Sequence, residues 1–290
     1  MKKSQKIFAL IFSLSLLACD PLLAEDSEHD QSTSITDDVK YRQLCHLAAT
    51  DELMFSLFKG EPIYQQMVNN VSYEQGLNCL SVIETKYPDL LNLWSKFAIN
   101  DRIGGPVTYL FPSVGRASPS TLRYIKILGE LRSTFGDLTN KKIVEVGGGY
   151  GGQAQVISNL FDFSEYVIVD LPEPVTLIEK YLSTMGIENI RYIPSNEVQE
   201  EYSDLFISNF AFSECNRDVQ DEYLEKYILN SSAGYMLLND MRGFFTPSPY
   251  TVLELRNILR SYGYQVTIKP EDPRTGHYNI VLIWKKSNDV

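Results

Sequence analysis

The chain has 290 residues, of which 44% are hydrophobic and 22% are charged, and this balance is typical of a folded globular protein rather than a disordered one. Its formal net charge is −11, and no cluster of Lys or Arg offsets this charge locally. Because such a surface repels phosphate backbones, we expect no nucleic-acid partner. Small molecules, glycans and lipid-linked sugars remain candidate substrates.

The first 24 residues have the pattern of an export signal. Three lysines within the first six residues precede an apolar run at 7–18, which is shorter than the roughly 20 residues of a membrane span but suits the core of a signal peptide. The sequence LLAC at 16–19 resembles a bacterial lipobox, in which Cys19 is lipidated after cleavage; cleavage after Ala24 is the alternative.

This pattern predicts an exported lipoprotein on the periplasmic side of a bacterial membrane, attached to the membrane only through the segment 1–24. An uncleaved anchor that leaves the protein in the cytoplasm is the competing interpretation. The oligomeric state is not predictable from the sequence.

A tether and a helical cap follow the signal. Residues 25–40 are polar and lack periodicity, which predicts a flexible tether. Apolar residues recur at three- and four-residue spacing within 41–98, a pattern typical of helices, and a further helix is predicted at 121–131. We therefore expect a helical cap over residues 41–135.

The cysteines allow two interpretations. Cys45 and Cys79 can pair if the chain reaches an oxidising compartment, or they can remain two buried thiols. The spacing of the cysteines and histidines does not indicate a zinc site.

From residue 141 onward, short apolar runs alternate with helical patterns. We predict strands at 143–146, 165–170, 190–193, 204–210, 235–238, 265–268 and 279–284, and helices at 153–160, 174–184, 219–229 and near 251–261. Such alternation indicates a mostly parallel sheet with helices on both faces. The last two strands are joined by a short, turn-rich segment, which predicts an antiparallel pair. The fold class is therefore α/β, with a Rossmann-like sheet over residues 136–290.

A glycine-rich loop follows the first of these strands. Glu145, Gly147, Gly149 and Gly151 form the pattern Glu-x-Gly-x-Gly-x-Gly between a strand and a helix. Glycines at such a turn let a cofactor lie against bare backbone. The spacing fits S-adenosylmethionine better than the G-x-G-x-x-G of dinucleotide folds. Glu145 is the candidate for holding the ammonium end of this cofactor.

Asp170 ends the second strand and is the candidate acceptor for the ribose hydroxyl groups. This role alone does not separate S-adenosylmethionine from a nicotinamide cofactor. The loop, the acid and the antiparallel ending together favour S-adenosylmethionine over a nicotinamide enzyme or a fold that binds nothing.

Several stretches resemble the sugar O-methyltransferase family, a group of class I S-adenosylmethionine-dependent methyltransferases. Across roughly residues 52–286 the similar stretches are 64–76, 100–106, 118–124, 144–154, 208–214 and 277–284. The resemblance implies methyl transfer to a sugar hydroxyl of a glycan or glycoconjugate. Asn209 is followed by Phe210 and Ala211 rather than by the paired prolines of adenine N6-methyltransferases.

Candidate catalytic residues follow the fourth, fifth and sixth strands, because ligands of open α/β sheets bind beyond the carboxyl ends of the strands. A hydroxyl is a poor nucleophile, so a base or a metal should assist its deprotonation. The candidates are Glu214, Asp240 and His277, with His277 as the expected base. Glu214, Asp240 and Asn239 also offer oxygen ligands that suit Mg²⁺. Ordinary roles as a helix cap, a turn residue and a surface loop residue are the alternatives.

Two further functions stay open at this stage. One is an exported binding or effector protein that keeps the methyltransferase fold, and the other is a small-molecule O-methyltransferase with a non-sugar acceptor. In the cap, we interpret Asp101 and Arg123 as structural residues rather than as parts of an acceptor pocket.

Overall fold

The computed structural model describes residues 33–241 and 243–287, so the predicted signal segment 1–24 lies outside the described residues. The amino-terminal half is helical and contains one short hairpin. Its elements are α1 (Val39–Thr50), α2 (Glu52–Leu57), α3 (Pro62–Met67), α4 (Tyr73–Lys86), α5 (Trp94–Phe97), β1 (Tyr109–Phe111), β2 (Gly115–Ala117) and α6 (Pro119–Phe135), with 3₁₀ turns at Phe58–Gly60, Pro88–Leu93 and Ala98–Arg102.

The carboxy-terminal half alternates strands and helices. Its elements are β3 (Lys142–Val146), α7 (Gly152–Ser158), β4 (Glu165–Asp170), α8 (Pro172–Thr184), β5 (Ile190–Pro194), β6 (Leu205–Asn209), α9 (Ala211–Glu214), α10 (Arg217–Tyr223), a π-helical turn (Leu224–Ile228), β7 (Ala233–Leu238), α11 (Val252–Ser261), β8 (Tyr264–Pro270) and β9 (Ile280–Lys286).

The central sheet has seven strands in the order β5-β4-β3-β6-β7-β9-β8. Neighbours from β5 to β7 are parallel, whereas β9 runs antiparallel to both β7 and β8. The seventh strand of the sheet is thus reversed and inserted between the fifth and the sixth. This topology confirms the predicted Rossmann-like methyltransferase sheet, and it differs from a dinucleotide fold, whose classic order is 3-2-1-4-5-6.

Alternating side chains of the strands build two cores, one on each face of the sheet. Ile143 of β3 belongs to the core that contains Ile125 and Leu128 of the cap helix α6. Val144 points to the opposite face, whose core includes Leu259 of α11. Because side chains of α6 form part of the core on one face of the sheet, the described residues of the cap and of the α/β half form one compact unit.

Hydrogen bonds from neighbouring side chains define where α6 begins. Asp101 accepts hydrogen bonds from the Ser118 backbone N–H (2.7 Å) and from the Thr121 hydroxyl (2.7 Å), and Ser118 caps α6. This arrangement gives Asp101 the structural role that the sequence suggested. It also fixes the first turns of α6, from which Arg123 projects.

Part of the predicted tether is wrong, because its carboxy-terminal end packs against the sheet domain. The Asn216 backbone N–H donates to the Thr33 carbonyl oxygen (2.9 Å), and the Ile35 N–H donates to the Glu214 carbonyl oxygen (3.1 Å). Hydrophobic periodicity gives no signal for such an edge contact, since backbone atoms make it.

Predicted and observed elements agree closely in the α/β half. The seven predicted strands are all present there, with bounds that differ by two residues at most. The predicted helix at 219–229 is α10 followed by the π-helical turn. The hairpin β1–β2 and the helix α9 were not predicted, because elements of three or four residues are too short to show a period.

Cys45, Cys79 and Cys215 are buried free thiols, so the alternative of a Cys45–Cys79 disulfide is wrong. Within the described ranges 33–241 and 243–287, no helix is both long enough and apolar enough to cross a membrane.

Candidate functional site

The loop between β3 and α7 is left-handed at Gly147, Gly149 and Gly151, with φ of +84°, +62° and +88°. Side chains other than hydrogen are strained in this conformation. A Cβ atom at Gly147 would lie 2.0 Å from Cβ of Ala211, so α9 can approach the loop this closely only because residue 147 has no side chain. A Cβ at Gly149 would meet Cγ1 of Val68 at 3.0 Å, so Val68 packs closely against Gly149, and both residues line one cavity.

Glu145 lies beneath this loop with only 1% of its surface exposed. The Tyr166 hydroxyl donates a hydrogen bond to Oε2 of Glu145 (2.9 Å). Burial raises the pKa of the Glu145 carboxyl to about 8, and the charge of Asp170 adds to the rise while the Tyr166 hydrogen bond opposes it. A cation placed beside Glu145 would favour its charged form.

Asp170 faces the same loop from the end of β4. Its Oδ2 accepts from the Gly149 backbone N–H (3.1 Å), and its Oδ1 accepts from the Leu171 N–H (2.8 Å). Burial raises the pKa of Asp170 to about 6, although these backbone N–H groups pull it down. The carboxylate retains further lone pairs for a ligand hydroxyl.

A cavity of about 100 Å³ opens at the carboxyl ends of β3, β4 and β6; we call it the glycine-loop cavity. It brings together most of the sequence-predicted cofactor residues, and it places Glu214 with them. Gly151 does not line the cavity; it is the N-cap residue that precedes α7. The lining residues are Thr36, Tyr41, Met67, Val68, Asn70, Arg123, Tyr124, Glu145, Gly147, Gly148, Gly149, Asp170, Asn209, Phe210, Ala211 and Glu214.

Arg123 supplies the positive charge of this cavity. One of its guanidinium nitrogens donates to the Val68 carbonyl oxygen (3.3 Å), and the guanidinium lies 6.0 Å from the centre of the Phe210 ring. The interpretation of Arg123 as a purely structural residue is therefore incomplete, because its side chain also lines the glycine-loop cavity.

Asn209, at the end of β6, has both side-chain amide atoms buried and without a hydrogen-bond partner among the described residues. Leaving a buried amide unpaired costs about 1–3 kcal/mol per group. Since Asn209 lines the glycine-loop cavity, a ligand in that cavity would satisfy it.

Glu214 is the last residue of α9 and is oriented by a short chain of hydrogen bonds. The Asn239 side-chain amide nitrogen donates to Oε1 of Glu214 (2.9 Å), while the Ser213 hydroxyl donates to the side-chain oxygen Oδ1 of Asn239 (2.6 Å). Burial raises the pKa of Glu214, opposed by the Asn239 hydrogen bond and by the charge of Arg123. A raised pKa makes a carboxylate a stronger proton acceptor.

Asp240 and His277 lie in a different place from the glycine loop. Both line a second cavity of about 530 Å³, which we call the apolar cavity, and His277 is exposed there. Its walls also include Ser213 and Asn239, so it begins next to Glu214. The remaining lining residues are Leu238, Met241, Pro249, Tyr250, Thr251, Val252, Leu253, Ile268, Lys269, Pro270, Arg274, Tyr278, Asn279 and Ile280.

The three oxygen ligands expected for Mg²⁺ do not form a metal site. Asn239 turns its amide nitrogen, not its oxygen, toward Glu214, and its oxygen accepts from Ser213. In the part of the chain that the structure describes, acidic, His and Cys side chains form no group of three or more that could hold a metal ion. The Mg²⁺ suggestion has no support in this geometry.

Sequence reasoning missed the cap's share of the site. Tyr41, Val68, Asn70 and Arg123 come from three separate cap segments and meet the glycine loop only through tertiary packing. No local motif marks them. Asn209 was noted only for its neighbours, although a polar residue that ends a buried strand is itself a signal.

Comparisons with known proteins bear on the fold alone. No protein-family model matches the chain, and no curated protein matches it. Among solved structures, a SAM-dependent methyltransferase from Aquifex aeolicus is 17% identical and covers 54% of this chain and 88% of its own, with a TM-score of 0.40.

Two other solved structures are similar to the same extent. A ribosomal protein L11 methylase from Lactobacillus delbrueckii subsp. bulgaricus is 14% identical and covers 58% of this chain and 80% of its own (TM-score 0.41). An rRNA methylase from Streptococcus thermophilus is 15% identical and covers 59% and 98% (TM-score 0.39).

Proposed function

We propose that this protein is an S-adenosylmethionine-dependent O-methyltransferase that acts on a sugar hydroxyl of a glycan or glycoconjugate. The observation that carries the cofactor assignment is the unpaired amide of Asn209 in a cavity floored by a left-handed glycine loop. The sheet topology, with its reversed seventh strand, supports the same class.

The side chains of the glycine-loop cavity fit both charges of the methionine end of this cofactor. The buried carboxyl of Glu145 suits the ammonium group, and the guanidinium of Arg123 suits the carboxylate. Asp170 would accept from the ribose hydroxyls, and the bare backbone at Gly149 would face the cofactor in the space that Val68 now fills. The amide of Asn209 would pair with whichever polar group reaches it.

The cavity in its present shape is smaller than such a ligand needs. Ligand pockets typically hold about 300–1,000 Å³, whereas the glycine-loop cavity holds about 100 Å³. Val68 of the cap packs against Gly149 and fills the space beside it. We therefore propose that the cap segment around Val68 moves outward when the cofactor enters.

When bound, the cofactor supplies an electrophilic methyl group on a sulfonium sulfur. Glu145, Arg123 and Asp170 would hold it so that this methyl group is available to the acceptor oxygen, and the sulfur would keep the electron pair of the carbon–sulfur bond. Glu214 is the proposed base, because it lines the glycine-loop cavity while its partner Asn239 lines the apolar cavity. Glu214 would take the hydroxyl proton, and Asp240 and His277 would contact the acceptor. Aligning the two reactants supplies much of the rate, up to about 7–11 kcal/mol.

Titration calorimetry of the chain from residue 25 onward tests the cofactor assignment. Gly149→Val should abolish S-adenosylmethionine binding, whereas Gly186→Val, at an exposed left-handed glycine (φ +68°), should leave it unchanged. Asp170→Asn should weaken binding about tenfold or more, because a charge-assisted hydrogen bond is worth roughly 1.5–3 kcal/mol. Asp162→Asn is its exposed control.

Absence of binding by the parent chain would refute the proposal and favour a binding or effector protein that keeps only the fold. The acceptor is tested by transfer of a labelled methyl group to a panel of glycosides and of non-sugar alcohols. Methylation of the non-sugar alcohols alone would replace the sugar acceptor with the small-molecule alternative.

A further inference from the structure

The apolar cavity continues the row of strand ends that begins at the glycine loop. Leu238 of β7 pairs with Ile280 of β9, and Ile280 pairs with Pro270 of β8, so these three residues lie side by side at one edge of the sheet. Strands are about 4.8 Å apart, so Pro270 lies roughly 10 Å from Leu238. The cavity thus extends sideways from the proposed reaction site by about that length.

The walls of this cavity suit an apolar guest better than a bare sugar. Leu238, Met241, Val252, Ile268 and Ile280 line it together with tyrosine and proline side chains. A sugar presents hydroxyls in most directions, and hydroxyls buried against apolar walls lose their hydrogen bonds to water. The volume of about 530 Å³ lies within the range of ligand pockets.

Charge is distributed unevenly along the cavity. Asp240 lies two residues after the end of β7, next to Asn239, whereas Lys269, Arg274 and His277 all belong to β8 or to the connection from β8 to β9. Lys269 already faces a carboxylate, Glu130, at 3.7 Å. Arg274 is exposed, and the structure records no ion pair for it within the described residues. The far rim is therefore the basic end.

The connection that carries this basic rim is held in a defined shape. Glu271 is 3% exposed and accepts hydrogen bonds from the Thr275 backbone N–H (2.8 Å) and from the Asn279 side chain (2.8 Å). Gln75 of the cap helix α4 donates to the Thr275 carbonyl oxygen (2.9 Å). The rim thus forms a fixed wall, tied to both the sheet and the cap.

We infer that the apolar cavity binds an amphipathic acceptor with an acidic group. Its hydroxyl lies at the Asp240 end, its apolar body fills the cavity, and its anionic group faces Arg274. This inference rests on the proposed function for the identity of the reactive end, but not for the binding of an apolar anion. It narrows the acceptor from a sugar in general to a glycoconjugate with an apolar, acidic part.

Two fluorescent probes test the inference without any cofactor. The first is 1-anilinonaphthalene-8-sulfonate, an apolar anion, and the second is N-phenyl-1-naphthylamine, which has the same rings without the sulfonate. Both should bind the chain from residue 25 onward, which keeps the compact unit 32–290 whole. The anion should bind more tightly.

Variants that fill the cavity locate the probes. Val252→Trp should weaken both probes at least about tenfold, since a large side chain then occupies the cavity. Leu253→Trp is a second blocking variant at a 53%-exposed position, in case the first disturbs folding. Leu110→Trp, at a 72%-exposed position outside the cavity, is the matched control and should change nothing.

A second pair of variants tests the charge. Arg274→Met should weaken the sulfonate probe about two- to fivefold, the size of an exposed ion pair, and leave the neutral probe unchanged. Arg260→Met, at an exposed position outside the cavity, should affect neither. The assignment of an acidic group would be overturned if both probes bind equally tightly, or if Arg274→Met leaves the affinity for the sulfonate probe unchanged.

Unchanged probe binding in folded Val252→Trp and Leu253→Trp variants would overturn the cavity as the site. The two proposals fail separately. A chain that binds the probes as expected but not S-adenosylmethionine keeps this binding site and loses the methyltransferase function. A chain that binds the cofactor but neither probe keeps the cofactor assignment and loses this binding site.

Discussion

Cofactor binding should depend on pH through Glu145, whose carboxyl is neutral in most molecules of the free protein at pH 7. Burial raises the pKa of Glu145 to about 8, and a bound ammonium group would require its charged form. Below that pKa the protein must therefore release a proton in order to bind. The affinity for S-adenosylmethionine should rise as the pH rises toward 8.

The size of the effect follows from the ionised fraction of Glu145. With a pKa of about 8 this fraction is roughly 0.03 at pH 6.5 and roughly 0.5 at pH 8, which alone would raise the affinity about 15-fold. Because only about 0.4 of the cofactor's α-amino groups remain protonated at pH 8, the net rise should be about sevenfold, or about 1.2 kcal/mol. An α-amino group titrates near about 7.7–8.0, so the gain should stop close to pH 8. Asp170, whose pKa burial raises to about 6, adds little in this window.

Titration calorimetry at pH 6.5, 7.2 and 8 measures this dependence. Repeating it in buffers with different ionisation enthalpies counts the protons released, and we expect close to one per cofactor at pH 6.5. Glu145→Gln can still accept from the Tyr166 hydroxyl but carries no proton to release, so its affinity should not rise with pH. If the affinity of this variant rises with pH as much as that of the parent, or if the affinity of the parent does not rise, the assignment of Glu145 to the ammonium group is refuted.

Three further predictions concern the base, the fold and the anchor. Glu214→Gln should lower turnover by about 10²–10⁴ with the cofactor Kd unchanged and no effect of a chelator; an equal loss only in His277→Ala would move the base to His277. Burial lowers the pKa of Lys59 to about 7, whereas the unfolded chain protonates lysine up to about pH 10.4. The free energy of unfolding should therefore rise between pH 8 and 10 by about 1.4 kcal/mol per pH unit relative to Lys59→Met. Urea unfolding measures this free energy, and the same pH dependence in both proteins would contradict the prediction. Intact-mass measurement should find acyl groups on Cys19 that Cys19→Ser lacks, while a mature start at Glu25 or a retained Met1 would exclude the lipoprotein.

The strands and the glycine loop were predictable because their signals are local. Buried parallel strands appear as short apolar runs, and a loop that must turn at Gly147 and leave space at Gly149 shows its glycines directly. The position of Asp170 follows from the same rule, since it ends the next strand. Asp240 and His277 were also expected beyond the carboxyl ends of strands. Their position in the sequence predicts the edge of the sheet at which they lie, but not which of the two cavities at that edge they line.

The cap was not predictable in the same way, because its contacts with the loop join residues far apart in the sequence. Val68 meets Gly149 and Arg123 meets Glu214 in one cavity, although helical periodicity shows only that cap residues face some core. Lys59 adds a further contact between the cap and the glycine loop, since its side-chain nitrogen lies 3.9 Å from the centre of the Tyr150 ring.

The same packing explains why the cap belongs to the site rather than merely covering it. Asn100 of the cap donates a hydrogen bond to the Tyr150 hydroxyl (3.0 Å), and the Tyr181 hydroxyl of α8 donates to the Asn100 side-chain oxygen (2.6 Å). The cap is thus held to the loop through Tyr150, while Val68 packs against Gly149 at the cavity. An outward movement that admits a cofactor must therefore occur around Val68 and leave the contacts of Tyr150 in place. Movement of the whole cap would instead break the hydrogen bonds that hold the glycine loop in shape.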